Sequence, residues 1–372
     1  MAGVYIHIPF CKKACHYCNF HFSTKKNYTV LVNAILKEIE INQKKFNNKN
    51  ISTIYFGGGT PSIIENRHIQ KIITKVKNQY NVFKNCEITL EVNPDDVNRE
   101  KLIKWNKIGI NRLSLGVQTF DNNILKKLNR IHTAEMAISA IEEIKKVYNN
   151  YSIDLMFGTP GSTKKSIEND LFILKKLNPP HVSIYNMTLE KRTVFYKLFK
   201  NNKISLPNEN SVLTQYDLIL DKLEKSGYEN YEISNFAKKG YHSRHNSNYW
   251  KDKEYIGYGP SAHSYNKKYR FWNISDNKEY IRLINKGIRV YERERLSPTE
   301  KINEYILTRI RTSKGVDQRD LLKKFRVDLF KDKFDDIKLL EKKNLVIIDK
   351  NQIKLTNTGK KISDSITEKI IY

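Results

Sequence analysis

Cys11, Cys15 and Cys18 are three of only four cysteines in the chain, and they fall within one short stretch at spacing C-x3-C-x2-C. Thiolates gathered so closely usually hold a metal. A structural zinc needs a closed tetrahedron, and its fourth ligand would have to come from His7, His16 or Cys86, because no second C-x2-C pair exists. A four-iron cluster normally takes four cysteines, so three would leave one iron open to another ligand. Two more features offer chemistry. In Gly57-Gly58-Gly59-Thr60-Pro61, the glycines free the backbone N–H groups and allow positive φ, so the loop can press against a polar ligand. Asp154 stands between Ile153 and Leu155, where a carboxylate is costly unless it has a partner.

The elements that must position these residues alternate. Residues 4–8, 51–56, 87–91, 112–116, 152–156 and 181–185 read as strands, and the helical periodicity of 28–46, 69–76, 99–108, 122–128, 134–148 and 164–177 fills the gaps. Strand and helix in strict alternation predict parallel βα units with right-handed crossovers. Six units are two short of a closed eight-stranded barrel, so the expected fold is α/β, a partial (β/α)6 barrel. Cys11, Cys15, Cys18, Gly58, Glu91, Gln118 and Asp154 all fall at or just beyond strand ends, where parallel barrels place ligand sites.

A run of Ile-Pro-Phe leading into C-x3-C-x2-C resembles the radical S-adenosylmethionine (SAM) superfamily. That resemblance implies a [4Fe-4S] cluster on Cys11, Cys15 and Cys18, with SAM chelating the fourth iron and one electron splitting SAM into methionine and a 5′-deoxyadenosyl radical. Over most of the chain the motifs are similar to the coproporphyrinogen III oxidase-like branch. The implied SAM contacts are Tyr5, Tyr17, Gly58, Gly59, Thr60, Glu91, Gln118, Arg130 and Asp154. Glu91 and Asp154 can accept hydrogen bonds from an amino group or ribose hydroxyls, and Arg130 can pair with a carboxylate.

Within that branch the oxidases carry another cysteine two positions after the third ligand, where this chain has Phe20, and a long extension before the cluster. Both differences point to the HemW haem chaperones, and so does His245-Asn246-Ser247-Asn248-Tyr249-Trp250, which resembles their HNxxYW motif. His245 could ligate haem iron, while Tyr249 and Trp250 offer flat apolar surface to a porphyrin; His263, in a glycine-rich turn, is a second candidate ligand. The resemblance implies haem as cargo and haem-acceptor proteins, respiratory ones among them, as partners. A homodimer and transient contact with the membrane surface are left open. The alternative is a radical SAM enzyme such as the oxygen-independent oxidase of porphyrin biosynthesis.

The rest of the composition narrows the setting. No apolar run approaches the ~18 residues a membrane span requires, and the N-terminus lacks the pattern of a signal peptide, so a cytoplasmic location with reduced cysteines is expected. The net charge of +26 comes mostly from lysines scattered over the helices, such as Lys71, Lys101 and Lys145, with no arginine-rich block. Solvated helix faces account for such charges, and nucleic acid is not an expected partner. Expected domains are the barrel over 1–205, a barrel-flanking extension carrying the HNxxYW motif over 206–296, and a small α+β module over 297–372. In the last, helices at 300–311, 318–325 and 336–342 precede strands at 345–348 and 353–355 and a final helix, the order of a winged helix.

Overall fold

The computed structural model describes residues 2–25, 27–42 and 49–372. Strands β1 (Ala2–Ile8), β2 (Asn50–Gly58), β3 (Asn81–Val92), β4 (Arg112–Gln118), β5 (Tyr151–Phe157) and β6 (His181–Asn186) pair in parallel and in chain order. Parallel strands covered on both faces usually read as unbroken apolar runs. These alternate instead. On β1, Ala2, Val4, Ile6 and Ile8 are fully buried in the hydrophobic core, whereas Tyr5 and His7 point to the opposite face. On β5, Ile153 and Leu155 pack into the core while Ser152, Asp154 and Met156 line a cavity. The alternation arises because the second face of the sheet encloses polar space instead of another apolar layer.

The sheet does not stop at six strands. Residues 206–296 supply β7 (Glu229–Glu232), β8 (Asn235–Ala237), β9 (Tyr255–Tyr258), β10 (His263–Tyr265), β11 (Tyr269–Asn273) and β12 (Tyr291–Arg295). The first two continue the sheet beyond β6 and the other four continue it beyond β1, giving a sheet of twelve strands among the described residues. The segment expected to flank the barrel is therefore built into both edges of its sheet. Glu38 fixes one of these joins. Fully buried on helix Tyr28–Ile41, it accepts hydrogen bonds from Gly259 N (2.8 Å), Asn273 Nδ2 (2.8 Å) and Tyr280 Oη (2.6 Å).

Several element boundaries differ from expectation. The helix expected over 28–46 ends at Ile41, and residues 43–46 lie outside the described residues. Strand β3 begins six residues before the expected 87, through Asn81 to Cys86, where Val82 and Phe83 stand side by side between polar residues and show no apolar alternation. In the C-terminal region, helix Pro298–Ile310 starts at a Ser297 capping box, and β13 (Val316–Asp317) was missed because two residues carry no periodicity. Helices Gln318–Phe325 and Phe334–Lys342, the hairpin β14 (Val346–Asp349) and β15 (Gln352–Leu355), and helix Ser363–Ile370 follow. The order β13-β15-β14 and a separate apolar cluster running from Tyr305 to Ile370 agree with a winged-helix-like module with its own core.

Candidate functional site

The cysteine loop leaves the end of β1 and is clamped from two sides. On one side the glycine loop after β2 lies against its backbone: Gly59 N donates to Ile8 O (2.9 Å) and Thr60 N to Phe10 O (2.7 Å). A Cβ on Gly59 would stand 2.6 Å from Phe10 O and 2.8 Å from Phe10 N, so only glycine permits this approach. Thr60 Oγ1 then reaches Cys11 Sγ at 3.7 Å. On the other side, the segment after helix Asn122–Lys127 holds the loop. His16 N donates to Leu128 O, Asn129 Nδ2 to Ala14 O (2.6 Å), and Arg130 Nη1 to Cys15 Sγ (3.5 Å). Arg130 is a positioned residue, for its Nη2 also donates to Asn93 Oδ1 (2.6 Å) and Gly116 O (2.7 Å).

The three thiols open onto a cavity of about 640 Å³ whose wall includes Tyr17, Gly58, Gly59, Thr60, Glu91, Gln118, Arg130 and Asp154. Gly58 (φ +113°) and Gln118 (φ +72°) both take the left-handed backbone region, Gln118 at the bulge where β4 slips against β5. Of the residues expected to meet SAM, only Tyr5 is absent from the wall. It stacks on Tyr55 with ring centroids 6.1 Å apart and hydrogen-bonds His7 Nδ1 at 3.2 Å. Tyr55, which sequence reasoning did not single out, faces the cavity in its place and donates to Glu91 Oε1 (2.8 Å). Its one sequence signal is its place two residues before Gly57 on β2, on the same side of the strand.

Burial dominates the electrostatics of the wall. It pushes the Glu91 carboxyl up to about 7, with the neighbouring Asp154 charge adding to the rise and hydrogen bonds from Tyr55 and the Gly58 N–H opposing it. Asp154 is likewise raised, first by burial, although Ser114 Oγ (2.8 Å) and Ser152 Oγ (2.9 Å) both donate to it. Glu91 and Asp154 are therefore solvent-poor carboxylates on the cavity wall, and Glu91 has no paired cation among the described residues. A ligand offering N–H, O–H or positive charge would satisfy them.

The HNxxYW segment forms helix Arg244–Trp250, capped by Ser243, and it closes the floor of this cavity, where Ser243 and Asn246 face inward. Its first two amides bind the carboxylate of Glu87 on β3: Arg244 N at 3.1 Å and His245 N at 2.9 Å. The His245 ring is buried against β1 and β2, stacked on Tyr55 at 4.9 Å. Nδ1 meets Thr53 Oγ1 (2.8 Å) and Nε2 meets Tyr249 Oη (3.0 Å), so both ring nitrogens are engaged. Burial pushes this imidazole down to about 3, which keeps it neutral. Trp250 lies at the far end of the helix with its indole Nε1 buried and without a hydrogen-bond partner among the described residues, and His263 on β10 is exposed.

The donor set suits a polynuclear cluster. Three thiols around the rim of one cavity, with a guanidinium and a hydroxyl directed at two of them, fit a cluster with one open position.

Comparison with known proteins agrees with this geometry. Residues 5–174 match the radical SAM superfamily, and residues 296–360 match the HemN C-terminal domain. Heme chaperone HemW of Bacillus subtilis is 33% identical over 371 residues, covering 98% of each chain. Heme chaperone HemW of Lactococcus lactis is 32% identical over 372 residues, covering 99% of this chain and 97% of that one. The solved structure of coproporphyrinogen III oxidase (HemN) from Escherichia coli shares the fold, with a TM-score of 0.86 over 100% of this chain and 90% of that one at 22% identity. With a thiol-rimmed cavity of this build and full-length similarity of this degree, the chain belongs to the HemW family of the radical SAM superfamily.

Proposed function

We propose that the protein is a haem chaperone: it holds a [4Fe-4S] cluster and SAM, binds haem, and passes it to acceptor haemoproteins. The observation that carries this is the convergence of Cys11, Cys15 and Cys18 on a cavity walled by Gly58, Gly59, Thr60, Glu91, Gln118, Arg130 and Asp154, in a chain whose full-length relatives are named heme chaperones. When bound, the cluster supplies single-electron chemistry to the SAM sulfonium. The chain's own residues do the rest. The cysteines hold the cluster, Gly59 lets the SAM loop lie against the cysteine loop, Arg130 braces Cys15, and Glu91 and Asp154 accept hydrogen bonds from the ligand.

Phe20 stands where the oxidases of this branch carry a further cysteine, and its ring is 72% exposed at the cavity rim. It offers a porphyrin an apolar face and offers a substrate radical neither a proton nor a thiol. Haem ligation by His245, with Tyr249 and Trp250 beside the porphyrin, requires helix Arg244–Trp250 to release Thr53 and Glu87 first. Exposed His263 needs no such release.

The test is anaerobic. After cluster reconstitution, iron and sulfide are counted per chain, haem is titrated by absorption, and coproporphyrinogen III consumption is assayed in parallel. Stoichiometric haem binding without consumption supports the chaperone. Robust conversion of coproporphyrinogen by the pure protein overturns it and makes the chain an oxidase. His245→Ala and His263→Ala, run in the same titration, assign the axial ligand.

A further inference from the structure

A second concave site lies away from the cysteines, where the strand extension meets the C-terminal module. It is a cleft of about 620 Å³. The turn after helix Arg244–Trp250 contributes Lys251 and Lys253, and the turn between β10 and β11 contributes Lys267. Helix Pro298–Ile310 adds Lys301 and Arg309, the turn before β13 adds Lys314, and helix Gln318–Phe325 adds Lys324. One carboxylate, Asp252, shares the lining, and it is taken by Tyr265 Oη at 2.6 Å.

Elsewhere on this basic protein many lysines sit beside an acid three or four residues away, as Lys104 does with Glu100 and Lys146 with Glu143. In the cleft that pattern fails. Lys251, Lys253, Lys267, Lys301 and Lys314 form no ion pair among the described residues, and only Lys324 has an acidic partner, Asp320 at 3.1 Å. Arg309 adds an independent observation: its guanidinium lies over the Tyr305 ring at 5.4 Å, but its buried Nε has no hydrogen-bond partner among the described residues. Burial and the charges of Lys314, Arg309 and Lys253 hold Lys251 below the usual lysine range, as expected for cations crowded together.

Helix dipoles explain part of the cluster. Lys251, Arg309 and Lys324 stand at the C-terminal ends of their helices, where cations are favoured. Lys253, Lys267, Lys301 and Lys314 occupy no helix C-terminus, and their mutual repulsion is uncompensated. Like charges in a shared concavity concentrate potential and raise the local density of anions.

We propose that this cleft binds a phosphate-bearing small polyanion of the nucleoside triphosphate or polyphosphate class, bridging the strand extension and the C-terminal module. Cations from five chain segments match four or more negative charges better than the two carboxylates of a haem. The concave shape and the volume, within the ~300–1,000 Å³ of small-ligand sites, suit a compact anion better than a duplex or a bilayer. Helix Phe334–Lys342, third in the winged-helix order after Pro298–Ile310 and Gln318–Phe325, carries Asp335, Asp336 and Glu341 and is a poor reader of nucleic acid.

The probe is inorganic tripolyphosphate, titrated calorimetrically into the full-length protein at about 150 mM salt, where exposed charges are screened beyond ~8 Å. Expected are saturable one-to-one binding and a rise in unfolding temperature. Affinity should weaken at least about tenfold in Lys253→Ala/Lys314→Ala, since each substitution removes a cation that faces the bound anion. These side chains are exposed, so the fold should persist, and circular dichroism checks this. Lys71→Ala/Lys145→Ala, remote from the cleft, should bind like the parent. Non-saturable binding, or equal weakening in both double variants, overturns the proposal. So does tighter binding to vesicles with about 30% anionic phospholipid or to a DNA duplex, combined with no saturable tripolyphosphate binding.

Discussion

Glu91 makes a sharp test of the SAM-binding cavity because its protonation state and its proposed task oppose each other. Burial, then the charge of Asp154, pushes its carboxyl to about 7. SAM carries a permanent sulfonium charge and N–H and O–H donors, all of which favour the ionised carboxylate. At pH 6 only about one site in ten is ionised, against about three in four at pH 7.5, and apparent affinity scales with the competent fraction. SAM should therefore bind close to an order of magnitude more tightly at pH 7.5 than at pH 6. At pH 6 binding should also release nearly one proton, measurable by calorimetry of the anaerobically reconstituted protein in two buffers of different ionisation enthalpy. Glu91→Gln keeps an acceptor for Tyr55 and should flatten the profile and abolish the release. Asp154→Asn removes the neighbouring charge that raises Glu91, so it should shift the profile to lower pH. An unchanged pH slope in Glu91→Gln would refute this placing of the carboxylate.

Other expectations follow from individual contacts. Gly59→Ala puts a methyl group against the Phe10 backbone, where no flexible side chain can yield, so iron bound per chain after reconstitution should fall sharply. Gly240→Ala, strained by a positive φ but outside the cavity wall, should lower stability and still retain iron. His245→Ala empties a buried site and strands Thr53 and Tyr249, so chemical denaturation should show a loss of about 2–4 kcal/mol. An unchanged stability would mean that the ring is not part of the packed floor. Asp170, held at about 7 by burial, binds its proton more tightly folded than unfolded. Its contribution is full below the unfolded carboxylate range and is lost as pH rises through about 7, so the unfolding midpoint should rise on acidification from pH 8 to 6. Asp170→Asn should remove that slope.

The sequence is most informative where periodicity and chemistry coincide. The six parallel strands of the barrel declare themselves because Val4, Ile6 and Ile8 or Ile153 and Leu155 alternate with residues that line the cavity or face its side of the sheet. The cysteine loop and its glycine partner follow directly after two of those strands. Tyr55 escapes notice because an aromatic in a strand is as often core as site, and only the pairing of β2 with β3 brings its hydroxyl to Glu91. Arg130 looks like a solvated residue until its chain turn is seen to lie against the cysteine loop. The outer strands are hidden for a different reason. Strands of three to five residues such as β8 and β10 carry too little alternation to register, and their pairing is set by long-range anchors such as Glu38.

The same logic explains the basic cleft and the HNxxYW helix. Lys253, Lys267, Lys301 and Lys314 are separated by up to sixty residues of sequence and look dispersed, so a linear scan for charge runs passes over them. They converge because the strand extension and the C-terminal module are docked, with Ile233 N donating to Arg311 O and Ser313 N to Tyr231 O. His245 shows a side of the motif that the linear sequence hides. A histidine beside Tyr and Trp reads as a candidate haem ligand, and in the fold Glu87 draws the helix start inward while Thr53 and Tyr249 meet both ring nitrogens. The ring then rests on Tyr55, whose hydroxyl supports Glu91. A motif associated with haem thus touches, through two side chains, the carboxylate proposed to receive SAM. Any movement that frees His245 for haem must also withdraw the surface behind Tyr55, so SAM affinity should fall when haem occupies that ligand, and by linkage haem affinity should fall when SAM is bound. Equal haem affinity with and without SAM would show that His245 stays packed and that the haem iron is ligated elsewhere.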